Sequence, residues 1–191
     1  MTQFVSSPEL MSAADTTLLV VDVQEKLIRL IAGHQRLVWN IRRLLDAAAA
    51  LTLPALATEQ YPQGLGGTVA ELAGRLGPIP GKTSFSCCGS SELAEKLAAT
   101  GRHRVLVVGI EAHVCVQQTV LDLLANGYWV SVAADAVGAR YEVDYQFALR
   151  RMELAGAVLT TAEAAMFEWC RQSGTPEFKQ ISALVRESPP T

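Results

Sequence analysis

Hydrophobic positions along the chain fall into two kinds of run. Thr17 to Val23 (T-L-L-V-V-D-V) is apolar almost throughout, and Val105 to Val108, which leads into Gly109, has the same character. Short runs without polar alternation fit parallel strands covered on both faces. Pro54 to Thr58, Trp129 to Ala133 and Ala157 to Leu159 read as further strands. Between the strands the spacing turns helical. It does so over 27–51, which ends in four alanines at 47–50, and over 69–75, 93–99, 142–155 and 161–171. A further helix opens near Cys115 and runs to Asn126.

Punctuation agrees with this division. Proline- and glycine-rich stretches at 59–67 and 77–82 read as loops, as does D-A-V-G-A-R at 135–140. Ser90 or Ser91 can cap the helix at 93–99, and Gly127 is placed to stop the helix before Trp129. Residues 1–15 read as a polar, irregular arm, and 175–191 as a last helix and tail. A parallel crossover needs a connection of helix length, so the alternation predicts an α/β fold. The expected architecture is three-layer α/β/α, with a six-stranded parallel sheet between helices. No repeat or linker divides the 191 residues, which makes 1–191 a single domain. In such folds ligands bind outside the carboxyl ends of the strands.

Composition narrows the classes of partner. Half the residues are hydrophobic and 18% are charged, as in a compact chain with a large core. The net charge of -3 gives no general electrostatic attraction for nucleic acid or an anionic membrane, which leaves a small-molecule substrate. The first sixteen residues lack the basic start and apolar run of a secretory signal, and no apolar run reaches the length of a membrane span. A cytoplasmic protein is expected. Its four cysteines form no C-x-x-C pair, so reduced thiols are the default.

Chemistry gathers at three strand or helix junctions. Cys115 lies near a helix start, where unpaired N–H groups and the helix dipole favour thiolate, although buried cysteines are also common packing residues. Asp22 ends the first strand and is either a helix cap or a partnered carboxylate. Lys82 follows the proline-flanked loop. If the three meet, Cys115 is a nucleophile and Asp22 the base that takes its proton and returns it to the leaving group. Lys82 is then the cation that favours thiolate and keeps the carboxylate ionised. Backbone N–H groups between Ile110 and Cys115 could face the negative charge that develops on an attacked carbonyl.

Other residues carry two readings each. His113 is a competing base, though side chains two apart at a helix start need not face the same way. Gln24 and Gln60 can present amides to substrate or bond the backbone at strand exits, and Tyr61 and Phe85 can line a pocket or pack. Cys87 and Cys88 read as buried thiols, Arg140 and Asp135 as a structural pair or loop charges, and Arg42–Arg43 as part of a solvated helix face. No G-x-G-x-x-G follows the first strand, so dinucleotide binding is not indicated.

Three motifs, V-V-D-V-Q at 20–24, G-K-T-S-F at 81–85 and V-V-G-I-E-A-H-V-C-V-Q-Q-T at 107–119, resemble the isochorismatase-like cysteine hydrolases. That family includes nicotinamidases and N-carbamoyl-amide hydrolases. The resemblance implies a Rossmann-like isochorismatase fold, a triad of Asp22, Lys82 and Cys115, and an oxyanion hole from the N–H groups of Glu111 and Cys115. It also implies a cis peptide between Ile110 and Glu111 and, with the high apolar fraction, a homo-oligomer. Metal-dependent nicotinamidases carry an Asp-x-His pair where this chain reads Glu59-Gln60-Tyr61, with no histidine between His34 and His103. Neither a metal nor a cofactor is therefore expected. The segment T-E-Q-Y-P-Q-G-L-G at 58–66 is similar to a branch of uncharacterised isochorismatase-domain hydrolases. The expectation is a metal-independent hydrolase that cleaves a C–N (amide) bond of a small molecule through a Cys115 thioester. The alternative is a catalytically weak or inactive oligomeric binding protein on the same scaffold.

Overall fold

The computed structural model describes residues 5–190, so residues 1–4 of the arm and Thr191 lie outside the described residues. In the first half the elements are β1 (Thr16–Val21), α1 (Glu25–Ile28), α2 (His34–Ala50), β2 (Ala55–Gln60), α3 (Pro62–Leu65), α4 (Ala70–Ala73) and β3 (Gly81–Lys82). A 3-10 turn (Cys87–Gly89), α5 (Ser91–Ala99), β4 (Arg104–Ile110), a π-helical turn (Ala112–Val116) and α6 (Gln117–Ala125) follow. The chain then forms β5 (Trp129–Gly138), α7 (Glu142–Leu154), β6 (Val158–Thr160), α8 (Ala162–Cys170) and α9 (Pro176–Val185).

The apolar strands owe their unbroken character to burial on both faces. Leu18 and Val20 of β1 enter one core with Leu106, Val108 and Ile110 of β4, closed over by α2, α8 and α9. Leu19 and Val21 point the other way, with Val105 and Val107, into a second core under α5, α6 and α7. Successive strand residues alternate faces, so with both faces covered neither set of positions faces solvent. Helix starts are capped where the sequence offers a hydroxyl. Ser90, Thr161 and Thr175 accept from the N–H groups of Leu93, Ala164 and Phe178, contacts worth about 1 kcal/mol each.

All pairings in the sheet are parallel, in the order β3-β2-β1-β4-β5-β6. The chain steps outward from β1 to β3, then returns to the other side of β1 for β4. The crevice between the carboxyl ends of β1 and β4 is thus the topological switch point, where open α/β sheets bind ligands. At Gly109, φ is +119° and a Cβ would lie 2.1 Å from the Val21 carbonyl oxygen. Only glycine lets the two backbones approach so closely there.

Several local expectations change. The helix expected over 27–51 is two helices, α1 and α2, parted by Gly33 at φ +68°. The sixth strand, β3, is only Gly81–Lys82, too short for a hydrophobic period to mark it. Residues 135–138, read as loop, belong to β5. That strand bulges after Val132, pairs again at Val137 and Gly138, and so carries the sheet past Gly109 to Ile110. Residues 5–15 have no regular secondary structure, yet Met11 is buried and its N–H donates to Glu168. Arg43 is not a solvated face residue: it is 4% exposed, stacked on Trp39 and bonded to Asn40. Among the described residues, no helix is long and apolar enough to cross a membrane.

Candidate active site

Asp22 leaves β1 in the left-handed region, φ +51°, a conformation that costs a side-chain-bearing residue about 1–3 kcal/mol. The bend turns its carboxylate into the crevice, where it is completely buried. Lys82, on the edge strand, pairs in register with Gln60 of β2 and reaches across to Asp22, with Nζ 2.7 Å from Oδ2. Gln60 Oε1 (2.8 Å) and the carbonyls of Phe85 (2.9 Å) and Ser84 (3.1 Å) also lie within hydrogen-bond distance of the ammonium, which shares its protons among these acceptors. Neither side chain exceeds 1% exposure. A buried ion pair gains little over an apolar replacement unless it is fully hydrogen-bonded, as this one is, and even then stability alone is a weak reason for it.

Cys115 lies on the far side of the crevice, beyond the Ile110–Glu111 peptide bond, which is cis. It occupies the fourth position of the π-helical turn, not the first turn of α6. Its thiol lies close enough to the Asp22 carboxylate and the Lys82 ammonium to feel both charges. Burial raises the thiol pKa well above its ordinary value, the Asp22 charge raises it further, and the Lys82 charge only partly opposes them. The helix-start electrostatics read from sequence, which favour thiolate, are outweighed by desolvation and a neighbouring carboxylate, which favour the neutral thiol.

The two glutamines act on protein, not on open space. Gln24 is completely buried, donating to the carbonyls of Gln60 (3.0 Å) and Gly66 (2.6 Å) and accepting from the Gln60 N–H (2.8 Å). Both its donors are used, which corrects its reading as a substrate-binding amide. Gln60 spans from Lys82 Nζ to the Thr83 carbonyl, so it orients the lysine. Tyr61 and Phe85 are each 54% exposed, Tyr61 with φ +39° at the exit of β2. They lie one residue after Gln60 and three after Lys82, on the rim of the cluster.

His113 turns toward α7, with Nε2 3.7 Å from Asp144 Oδ2, and Nδ1 is buried without a partner. Arg140 pairs with Glu111 (2.9 Å), while Asp135 caps α8 by accepting the Ala162 N–H, so the Arg140–Asp135 pair does not form. Residues that sequence reasoning missed complete the cluster: Thr58 donates to Asp22 Oδ1 (2.8 Å) and also contacts Cys87. No spacing or motif marks Thr58, because its role depends on β2 lying beside β1. The 460 Å³ cavity between α1, α2 and α4, lined by Glu25, Trp39 and Val69, holds none of these groups, whereas a 510 Å³ cavity lined by Tyr61, Lys82 and Thr83 opens beside the cluster. Chemistry, not cavity size, locates the site. Among the described residues no three His, Cys, Asp or Glu side chains are grouped to hold a metal ion.

The chain and its fold are similar to known proteins. The sequence model described as Isochorismatase domain matches residues 16–164. Isochorismatase domain-containing protein 2 of Xenopus laevis is 39% identical over 176 residues, covering 92% of this chain and 85% of that protein. The MAR1 ribonuclease structure from Caenorhabditis elegans superposes with a TM-score of 0.89 at 42% identity, covering 95% of both chains. YcaC from Pseudomonas aeruginosa, solved with hexane-2,5-diol and covalent acrylamide, gives 0.85 at 25% identity, over 94% of this chain and 93% of its own.

Proposed function

The chain belongs to the isochorismatase domain family, and from that premise we propose that it is a cysteine hydrolase cleaving an amide C–N bond of a small molecule through a thioester on Cys115. The observation that carries the proposal is the buried Asp22–Lys82 pair beside the Cys115 thiol at the sheet's switch point.

Asp22 takes the thiol proton as Sγ bonds to the substrate carbonyl carbon, and the carbonyl electron pair moves onto oxygen. The N–H groups of Glu111 and Cys115 are the proposed donors to that oxyanion. Collapse breaks the C–N bond, and Asp22 returns the proton to the departing nitrogen. Water then attacks the thioester with Asp22 again as base, which releases the acid and restores the thiol. Lys82 sets its positive charge 2.7 Å from the carboxylate that accepts these protons and holds it in place. Tyr61 and Phe85 form the wall that selects substrate, while Gln60 acts through Lys82 and needs no metal.

The ribonuclease activity for which the C. elegans protein is named does not fit this reading of the site. A phosphodiester has no carbonyl carbon with which to form a thioester, and a chain of net charge -3 has no general attraction for RNA. The test is a panel of small amides with an RNA oligonucleotide beside them, followed by intact mass. Amide turnover with a transient adduct on Cys115, both lost in Cys115→Ala, is expected. Undiminished hydrolysis by Cys115→Ala would overturn the mechanism, and cleavage of RNA alone would overturn the substrate class.

A further inference from the structure

A hydrogen-bond chain beneath the site links the proposed base to the proposed nucleophile. Thr58, beside Val21 in the sheet, sends its hydroxyl proton to Asp22 Oδ1 (2.8 Å), and its Oγ1 also lies 3.2 Å from Cys87 Sγ. A threonine hydroxyl has one proton and an ionised carboxylate only accepts, so the Cys87 thiol must be the donor to Thr58. The backbone N–H of Cys87 in turn donates to Thr119 Oγ1 (2.9 Å), whose own proton goes to the carbonyl oxygen of Cys115 (2.6 Å). Thr58, Cys87 and Thr119 are 1%, 0% and 0% exposed, so water does not compete for these bonds. Burial pushes the Cys87 thiol up to about 11, which keeps it a protonated donor at neutral pH.

We propose that Cys87 is a positioning residue that braces Asp22 against Cys115, with Thr58 as one arm and Thr119 as the other. This rests on the cysteine-hydrolase reading of Asp22 and Cys115. Through the brace, Oδ1 of Asp22 is held by Thr58 while Oδ2 is held by Lys82, and the carboxylate cannot rotate away from the thiol. The second arm fixes the backbone of Cys115 from the same residue, so the separation of base and nucleophile is set at one point. The titratable groups facing Asp22 are Lys82 from β3, Cys87 from the 3-10 turn and Cys115 from the π-helical turn. Glu59 on β2 is engaged elsewhere, accepting from the N–H and hydroxyl of Thr68.

Alkylation of Cys115 by iodoacetamide, counted by peptide mass between pH 5 and 10, reads the base without the natural substrate. Removing a donor to a charged carboxylate disfavours the charged form, so Thr58→Val should move the acid limb up by about one pH unit. Thr58→Ser should restore it, and Cys87→Ala should shift it the same way by less. A packing role alone would change stability and leave the limb in place. Limbs of Thr58→Val and Cys87→Ala that superimpose on wild type overturn the brace and spare the nucleophile. No Cys115 adduct in wild type overturns the cysteine-hydrolase reading, and the brace with it. Cys87→Ala removes a single buried atom and carries the test if Thr58→Val does not fold.

Discussion

The floor and the rim of the candidate site share the exits of β2 and β3 and could hardly differ more. In the floor, Asp22, Gln24, Thr58, Gln60 and Lys82 are all 9% exposed or less, and every one is held by hydrogen bonds to its neighbours. On the rim, Tyr61 comes directly after Gln60 and Phe85 three residues after Lys82, and more than half of each is open to solvent. A short sequence distance thus separates side chains that are fixed from both ends from side chains with nothing above them. The difference teaches that, on the proposed mechanism, proton transfer and substrate choice are separable. The floor is over-determined by its own bonds, and the rim is free to change without disturbing them.

The largest test of this contrast is Asp22→Asn. Loss of a general base should lower turnover by about 10²–10⁴-fold. The thiol should respond in the opposite sense. Burial, then the Asp22 carboxylate, raise its pKa while Lys82 lowers it, so removing the carboxylate lets the thiol ionise at lower pH. Iodoacetamide labelling of Cys115 should therefore lose the acid limb set by the base in Asp22→Asn and follow the ionisation of the thiol alone, even as hydrolysis fails. A limb unchanged from wild type would mean that Asp22 does not govern the thiol.

Gln24→Leu comes next, with a volume close to the original and no polar group. It leaves the Gln60 N–H and the Gln60 and Gly66 carbonyls without their buried partner, a loss of about 2 kcal/mol or more. The melting temperature should fall by roughly 5 °C, given about 2–4 °C per kcal/mol in a chain of this size. An unchanged melting curve would show that the floor is less rigid than its bonds imply. The smallest effect on stability belongs to Tyr61→Ala and Phe85→Ala, within about 0.5 kcal/mol of wild type as for other exposed positions. Their consequence should appear in the ranking of substrates, through KM on the amide panel. A melting shift as large as that of Gln24→Leu would erase the distinction between floor and rim.

Much of the fold is legible without coordinates. Thr17 to Val21 and Val105 to Val108 could only be strands covered twice, because neither run offers a polar residue to solvent, and both are. The elements that escaped are those whose cause is remote. Gly81–Lys82 is a strand because β2 lies beside it, and β5 continues to Gly138 because its bulge lets it rejoin β4. The site divides in the same way. Residue type and position at strand exits singled out Asp22, Lys82 and Cys115, since a carboxylate, an amine and a thiol at such junctions are chemically conspicuous. Gln24 and Gln60 were equally visible, but an amide serves substrate and backbone alike, and only neighbours 36 residues apart decided for backbone.

By itself, then, the sequence determined the layered α/β architecture and the three groups able to carry chemistry, because hydrophobic period and functional-group type are properties of single residues and their near neighbours. The protonation of Cys115, the use of Gln24 and the chain from Cys87 to Asp22 were decided by tertiary structure alone. Desolvation, Coulomb interaction and hydrogen bonding act across a few ångströms of space, and the partners here come from β1, β2, β3 and two irregular turns that only the folded sheet brings together.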